Sequence, residues 1–519
     1  MLSIPHLAPV PTFQSHGVLC IVRLASGEIA DISSNAGAWF GHSAALLVGK
    51  PLRAMLGDAA ATLLDDLTSS DERFIPSQIH ASVQGAMRRL AVRARRCGSW
   101  AVVEIETDDE LDQNSPQIDW LRYSADLNRS FLDPTTVEVL ARRAVRSAHR
   151  VTGFERILLW RFGTRSDDVI AEQCNAGMAS LEGLHFPTDE ALRHGLGNSH
   201  PGRIHFVADL SAPHVQMHDP SPWMGDQEAA RGMSLAILRC ASHPGHASQF
   251  GARAFARAGI WIDDRLWGMI ECLNTSAHRP GREVRGALPR LVQMLARELA
   301  IVKGRNADDA AQTLRKHRTR IFEAMRRSGA SFADAFAMHE SALLDPVHAN
   351  DAVLVFGGRV TRYGRTLEGE ALAALLVWLR QDNRLGRGTG GMPFASDHLA
   401  SIHAPAASYA STAAGIIAAP LTGASGDCIV WMRAAFTQEI AWGATPGAPR
   451  GAPPRAVEGG DRRSRSRMAC GGPDHRQGVR HDAARRLASC RRRGRQGHQR
   501  SQTFLAGAAV AVVLDHRRK

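Results

Sequence analysis

The chain has 519 residues, of which 44% are hydrophobic, and its formal net charge is +12. A chain of this length predicts roughly three to four domains, and the hydrophobic fraction is enough for ordinary globular cores. No apolar run approaches the ~20 residues that a transmembrane helix requires. The N-terminus also lacks the basic start and apolar core of a secretory signal. We therefore expect a cytoplasmic protein that does not enter a membrane.

The positive charge is concentrated at the C-terminal end. Residues 451–519 hold 17 Arg and Lys against 5 Asp and Glu, an excess of 12 that equals the net charge of the whole chain. Basic segments can bind nucleic acid, but this one is rich in Gly, Ala, Pro and Arg and has Lys only at Lys519. We predict that residues 447–519 are an unfolded or frameshifted tail. A nucleic-acid-binding arm is the alternative, and no specific nucleic-acid partner is expected.

Metal sites and common catalytic motifs are not indicated. The 8 cysteines are scattered without a C-x-x-C pair, so neither a zinc site nor a disulfide framework is predicted. The sequence has no P-loop, no dinucleotide-type glycine fingerprint and no H-E-x-x-H motif. We therefore expect a protein that is not an enzyme.

The first hundred residues predict one sensor-like domain of strands and short helices. The pattern predicts two strands within 17–33 around an Ala25-Ser26-Gly27 turn, a short helix after Asn35, a helix over 52–67, and strands at 90–94 and 100–105.

A second domain begins near Asp133-Pro134, which predicts a helix start because Asp is a preferred N-cap and Pro is tolerated at the first helical position. Residues 156–162 predict a buried strand. Residues 260–273 predict a hairpin that turns at Asp263-Asp264.

A long helix is predicted from Val284 to about Met325, with Pro289 near its start, where proline is tolerated. Such a helix either connects domains or pairs with a second copy, and the pattern leaves both open. The third domain is predicted from a hairpin at 352–363, a helix at 367–381, and strands at 416–420 and 428–433. The predicted fold class is α/β (α+β), with three tandem sensor domains, each an antiparallel sheet with flanking helices, joined by a long helix.

Short segments along the chain resemble one family in a collinear order. In the first domain they are Phe13-Gln14-Ser15-His16-Gly17, Ser34-Asn35-Ala36, Phe40-Gly41 and the run 47–52. In the second they are the runs 152–157, 183–187 and 266–272. In the third they are Gly357-Gly358-Arg359-Val360, the runs 363–366 and 394–399, Trp431-Met432-Arg433 and Trp442-Gly443. The chain resembles the photosensory module of bacterial phytochromes, with PAS (13–110), GAF (130–305) and PHY (306–446) domains.

The resemblance implies a phytochrome-like red/far-red photoreceptor module. Such a module binds biliverdin or a related linear tetrapyrrole and relays its light state through rearrangement of a helix and of the PHY tongue. A homodimer and a separate or lost output module are implied as partners. The alternative is a light-insensitive, degenerate PAS-GAF-PHY scaffold that acts in dimerisation or binds another ligand.

The resemblance also assigns a set of candidate pigment-binding residues: His246, Arg239, Arg203, His205, Asp189, Glu190 and Trp160. His246 matches the family histidine beside the pigment, where imidazole can donate and accept hydrogen bonds. Arg239, with either Arg203 or His205, matches the cations that hold the propionates.

The remaining candidates are a carboxylate of an altered signature loop, Asp189 or Glu190, and Trp160, which stands where the family usually has Tyr. The sequence departs from the family in other places. No Cys occupies the usual attachment positions, with Cys240 and Cys272 as possible substitutes, and the tongue motif P-R-x-S-F is absent after Trp442. The implied function requires a GAF cleft that bulky side chains such as Trp160 or Phe255 do not fill.

Overall fold

The computed structural model describes residues 12–69, 74–107, 119–134, 136–164, 166–197, 203–240, 245–328, 332–365, 367–381, 384–385, 393–421, 427–435, 438–443 and 465–468. They fall into two compact units. The first unit contains the described residues up to Val302 together with 441–443, and the second contains those from Lys303 to Ile440 together with 465–468. Within the described residues, no helix has the length and apolar character needed to cross a bilayer.

The first domain is a five-stranded antiparallel sheet with four helices. A short strand β1 (Phe13–Gln14) precedes the sheet strands β2 (Gly17–Arg23), β3 (Ile29–Ile32), β4 (Phe74–Val83), β5 (Ala86–Cys97) and β6 (Trp100–Thr107). Their order is β3-β2-β6-β5-β4. The helices are Ala36–Phe40, Ala44–Leu47, Arg53–Leu56 and Ala59–Ser69. The helix predicted over 52–67 is divided at Gly57, because its φ of 66° is a left-handed conformation that ends a helical turn.

The second domain is a six-stranded antiparallel sheet. Its strands are β7 (Arg156–Phe162), β8 (Ser166–Cys174), β9 (His185–Pro187), β10 (Ile204–Val207), β12 (Ala254–Ile262) and β13 (Arg265–Asn274), with a short β11 (His214–Val215) outside the sheet. The order is β10-β12-β13-β7-β8-β9. The helices are Trp120–Phe131, Val137–Thr152, Glu190–Gly197, Gln227–Ser234, the 3-10 helix Gly245–Phe250, and the start of Arg282–Ser328.

Two predictions about the second domain have different outcomes. The hairpin that turns at Asp263-Asp264 is confirmed, because both residues have positive φ, of 50° and 57°, as a two-residue hairpin turn requires. The helix start at Asp133 is wrong. Asp133 itself has a positive φ of 45°, and the helix instead begins after Thr136, whose side chain accepts a hydrogen bond from the Val139 N–H.

The N-terminal strand β1 connects the first two domains. Phe13 pairs with Val215 of β11, and the Gln14 side-chain amide donates to the Phe206 carbonyl at 2.8 Å. The Gln14 side chain also accepts from the Ala208 N–H at 2.8 Å. Both domains therefore belong to one packed unit.

The second unit contains a five-stranded antiparallel sheet of β14 (Asp351–Phe356), β15 (Arg359–Tyr363), β16 (Phe394–Ser396), β17 (Gly415–Pro420) and β18 (Cys428–Arg433), in the order β15-β14-β18-β17-β16. Its helices are Phe332–Met338, Glu340–Leu344, Gly369–Arg380 and Ala410–Ala413, after the 47-residue helix Arg282–Ser328 that carries Pro289. A separate pair is formed by β19 (Gln438–Ala441) and β20 (Arg465–Met468). Strand β20 falls in the predicted tail, whose other residues lie outside the described ones. The predicted fold class of three antiparallel sheets with flanking helices and a long helix is confirmed.

Candidate ligand site in the second domain

The sheet of the second domain has two buried faces. Successive side chains of a strand point to opposite faces, so Ile157 and Leu159 of β7 pack toward the helices, while Leu158 and Trp160 point to the other side. We call this other side the cleft face. Its buried apolar residues on the strands are Leu158, Trp160, Val169, Phe186, Val207, Phe255, Met269 and Leu273.

Polar side chains cross the cleft face in register. His205 of β10 lies opposite Arg257 of β12, and Arg257 lies opposite Glu271 of β13. Arg257 Nε donates to Glu271 Oε1 at 2.6 Å, and Trp160 Nε1 donates to Glu271 Oε2 at 2.9 Å. We call His205, Arg257, Glu271 and Trp160 the polar ladder.

The central part of the polar ladder is shielded from water. The exposed fraction is 2% for the Arg257 side chain and 0% for Glu271, and Trp160 is fully buried. Charges buried in this way are tolerated when they are paired and hydrogen-bonded, and here both carboxylate oxygens have a donor. The Arg257 guanidinium also lies 4.1 Å from the Phe255 ring centroid, a favourable cation–π distance.

An aromatic cluster covers the same face. The His246 ring stacks on Trp160 at a centroid distance of 4.7 Å and an interplanar angle of 14°, while Phe186 meets Trp160 edge-on at 5.0 Å. Phe250 contacts both rings. His246 is 3% exposed, and neither of its ring nitrogens has a hydrogen-bond partner among the described residues. The structure therefore brings His246 and Trp160 together, as the predicted site requires.

The predicted propionate cations also lie close together. Burial and neighbouring arginines lower the pKa of His205 from 6.5 to about 3, and these arginines are Arg203, Arg257 and Arg239. Burial and Arg239 lower the pKa of Arg203 from 12.5 to about 10, and Arg203 Nε has no hydrogen-bond partner among the described residues. His205 is therefore neutral at pH 7, and the surrounding guanidinium groups favour an anion.

The predicted carboxylates of the signature loop have a different role in the structure. Asp189 Oδ1 accepts from the Leu192 N–H at 3.0 Å and so caps the helix Glu190–Gly197, whose first residue, Glu190, is exposed. The buried carboxylate near His246 is instead Asp167, which pairs with Arg193. Burial raises the pKa of Asp167, while Arg193 and His246 oppose the increase.

Sequence reasoning missed Arg257, Glu271 and Asp167. For Asp167 a weak signal was present, since Asp167-Asp168 directly precedes the apolar residues Val169-Ile170-Ala171 of the same strand. For Arg257 and Glu271 the sequence signal was weak, because only the register of β12 and β13 shows that the two charged side chains meet.

Residues 441–443 contact the aromatic cluster after the chain returns from the second unit. The Gly443 N–H donates to the His185 carbonyl at 2.9 Å, and Trp442 forms a parallel bridge with His185. A Cβ atom at position 443 would collide with the ring of Phe186, so this position requires glycine. Trp442-Gly443, predicted as the start of the tongue, thus packs against the aromatic cluster. Gly443 lies against Phe186, and Trp442 pairs with the adjacent His185.

Three family models match the chain in order: the PAS fold over residues 8–108, the GAF domain over 136–302 and the phytochrome region over 314–465. This is the domain order of the phytochromes, and the chain is similar to phytochromes along most of its length. Cyanobacterial phytochrome A of Nostoc sp. is 24% identical over 446 residues, which cover 84% of this chain and 56% of that protein. The bacteriophytochrome of Xanthomonas campestris pv. campestris is 23% identical over 457 residues, which cover 83% of this chain and 68% of that protein. The chain therefore spans only part of these phytochromes, little more than half of the Nostoc protein.

Solved phytochrome structures share the fold. The bacteriophytochrome RpBphP3 from R. palustris matches with a TM-score of 0.76 and 23% identity, over 99% of both chains. The photosensory core module of Stigmatella aurantiaca phytochrome matches with a TM-score of 0.73 and 22% identity, over 100% of this chain and 99% of that one. The PAS, GAF and PHY domains predicted from the sequence are thus present in phytochrome order.

The two cysteines considered as substitute attachment sites lie in different places. Cys272 is fully buried in the helix-side core, on the opposite side of the sheet from Trp160, and burial raises its pKa. Since that side faces away from His246, Cys272 as an attachment site is wrong. Cys240 is buried beside Thr12, with its N–H donating to the Thr12 carbonyl at 2.9 Å, and its role as an attachment site stays a prediction.

The fit of a linear tetrapyrrole differs between the two ends of the cleft face. Arg203 and Arg239 suit its propionates, and the unpartnered nitrogens of His246 suit a polar ligand group. Between these groups, however, Trp160 and Phe255 are fully buried and the polar ladder occupies the central strands. The cleft face in this arrangement does not fit an open-chain tetrapyrrole.

Proposed function

We propose that this chain is a phytochrome-like photoreceptor module that acts in signal transduction as a sensor rather than an enzyme. The observation that carries the proposal is the PAS, GAF and PHY order on one chain, shared with proteins named phytochromes. Biliverdin or a related linear tetrapyrrole is the proposed pigment, with a red/far-red response, and its binding requires the cleft face to open from the filled arrangement described above. A cytoplasmic homodimer that works with a separate output module is the proposed form.

Two elements support the proposed relay of a signal from the GAF domain. The helix Arg282–Ser328 begins in that domain, and its residue Arg285 is bound to Glu106 of the PAS domain. The segment at Gly443 packs on Phe186, a member of the aromatic cluster. We propose that changes at the cleft face move the helix and the tongue.

The test is co-expression of the full chain with haem oxygenase, followed by absorption spectroscopy. The proposal expects a red absorption band that changes on illumination, and loss of the band in denaturant if the pigment is held without a covalent bond. A well-folded protein with no such band would contradict the photoreceptor proposal.

A second candidate is a light-insensitive PAS-GAF-PHY scaffold that dimerises or binds another ligand. One observation favours it, the filling of the cleft face by Trp160, Phe255 and the Arg257–Glu271 pair. The absorption spectra separate the two candidates, because the scaffold predicts a folded protein without a red band, and light scattering then tests whether that protein is a dimer.

A further inference from the structure

The Arg257–Glu271 pair occupies the middle of the cleft face. It joins β12 to β13, two of the three central strands, and Trp160 of β7 completes the contact from the third. Neighbouring strands lie about 4.8 Å apart, so groups on three adjacent strands span about 10 Å of the sheet. The space between the cation end and the His246 end is therefore filled by side chains of the chain itself.

Both carboxylate oxygens of Glu271 are engaged by side chains of the cleft face. Each Glu271 oxygen has its own donor, one from Arg257 and one from Trp160. The indole that binds Glu271 also stacks on His246. A side-chain atom added at Gly245 would lie 3.1 Å from an Arg257 guanidinium nitrogen, so the start of the 3-10 helix Gly245–Phe250 packs closely over the same group. Moving either Arg257 or Glu271 leaves the other as a buried charge without this partner, which is unfavourable.

We propose that Trp160, Arg257 and Glu271 form an internal closure that keeps the GAF cleft shut against a linear tetrapyrrole. This inference rests on the proposed function, since it concerns the pigment site of the same module. It assigns to three residues of this chain the control of pigment access. The folded GAF domain then completes its core without a ligand, and pigment binding requires the closure to be removed.

The test compares biliverdin binding by three forms of the full chain. The opened variant carries Trp160→Tyr, Arg257→Ser and Glu271→Ala, which removes both members of the ion pair together. The matched control carries Arg253→Ser and Asp209→Ala. That surface pair has an Nη2–Oδ2 distance of 2.7 Å and exposed fractions of 51% and 20%, outside the closure.

We expect the opened variant to have a binding constant for biliverdin at least about tenfold larger than that of the wild type. We expect the control to bind as the wild type does. Wild-type binding equal to or tighter than that of the opened variant overturns the closure while leaving the photoreceptor proposal intact. Failure of all three forms to bind biliverdin overturns both. A band in the opened variant alone supports the closure and favours the scaffold.

A second measurement keeps the closure testable if the opened variant does not fold. The chain has 10 tryptophans, and the indole N–H resonance of Trp160 can be assigned from its loss in Trp160→Phe. Because this N–H is buried and bound to a carboxylate, we expect exchange with D2O much slower than for an exposed indole. Exchange at the rate of an exposed indole in the wild type overturns the closure.

Discussion

Two buried charge clusters in the first unit have the same chemistry and different surroundings. At the junction of PAS, GAF and helix, Arg285 donates to both oxygens of Glu106, at 3.1 and 2.8 Å. Arg93 and His16 also approach that carboxylate, at 3.4 and 3.2 Å. In the cleft, one arginine meets one glutamate across adjacent strands of a single sheet.

The two clusters therefore have different roles. The cluster around Glu106 joins domains, and the Arg257–Glu271 pair fills a site within one domain. Burial alone would raise the pKa of Glu106, but Arg285, His16 and Arg93 hold it well below the ordinary value. Glu106 therefore brings together strand β6, the N-terminal segment and the long helix. The Arg257–Glu271 pair joins only strands that already pair through their backbones, so its main consequence is for the space it occupies.

The largest expected effect is that of Glu106→Gln. The substitution leaves buried Arg285 and Arg93 without their carboxylate, and we expect a loss of about 3–5 kcal/mol in the free energy of unfolding. Urea unfolding of the full chain, followed by tryptophan fluorescence, measures it. Glu182→Gln is the control, since its pair with Arg142 is 53% and 31% exposed and is worth about 0–1 kcal/mol. Equal losses of unfolding free energy for the two substitutions would contradict the special role of the buried Glu106 cluster.

The same carboxylate predicts a pH dependence. Because the folded pKa of Glu106 is depressed below 4.5, its contribution to stability is present above that pH and is lost as the pH falls through the folded value. The wild type should lose more stability than Glu106→Gln between neutral pH and the acid range. Parallel pH profiles for the two proteins would show that Glu106 is not responsible.

The cleft pair predicts strong coupling in a double-mutant cycle. Glu271→Ala alone leaves Arg257 as an unpaired buried charge, which we expect to cost about 3–5 kcal/mol. Arg257→Ser combined with Glu271→Ala should cost less than the sum of the two single changes, because neither charge remains. Additive costs would mean that the two side chains do not interact in the folded protein.

A smaller effect is expected for Gly443→Ala. The added Cβ collides with Phe186, so overpacking should cost about 1–3 kcal/mol and should displace Trp442 from His185. Limited proteolysis at the 441–443 segment measures the displacement. Gly225→Ala is the matched control, since its Cβ would have no neighbour within 4 Å, and equal protection of both variants would contradict the contact.

The smallest expected change is in the titration of His205. Its pKa is lowered to about 3 by burial and by neighbouring arginines, so the imidazole should stay neutral between roughly pH 8 and pH 5. Protonation is less favourable in the folded state than in the unfolded chain, and this residue therefore destabilises the fold as the pH drops below 6.5. The pH dependence of the NMR chemical shifts of the His205 ring, assigned with His205→Gln, tests this prediction. A titration midpoint near pH 6.5 would mean that the His205 ring is exposed to solvent, which would contradict the prediction.

Local sequence signals predicted much of the fold and little of the closure. The Asp263-Asp264 turn and the helix that carries Pro289 could be found because turn chemistry and apolar spacing act over short stretches. Asp133 was misread as a cap because a good capping residue type also occurs in loops with positive φ. The meeting of Arg257 with Glu271, 14 residues apart, depends on strand register and on which face each side chain occupies.

Residue identity also failed to indicate how Trp160 is used. As a replacement for the family tyrosine, it was predicted to line a ligand cleft. Its stacking on His246 and its hydrogen bond to Glu271 arise from packing between segments that lie far apart in the sequence, which no short motif records.

The most direct measurement is a crystal structure of the full chain expressed without haem oxygenase, and so free of tetrapyrrole. The closure predicts Arg257 Nε within hydrogen-bonding distance of Glu271, near the 2.6 Å found here, with Trp160 stacked on His246. Trp160 rotated away from His246 and a broken Arg257–Glu271 ion pair in that pigment-free protein would contradict it.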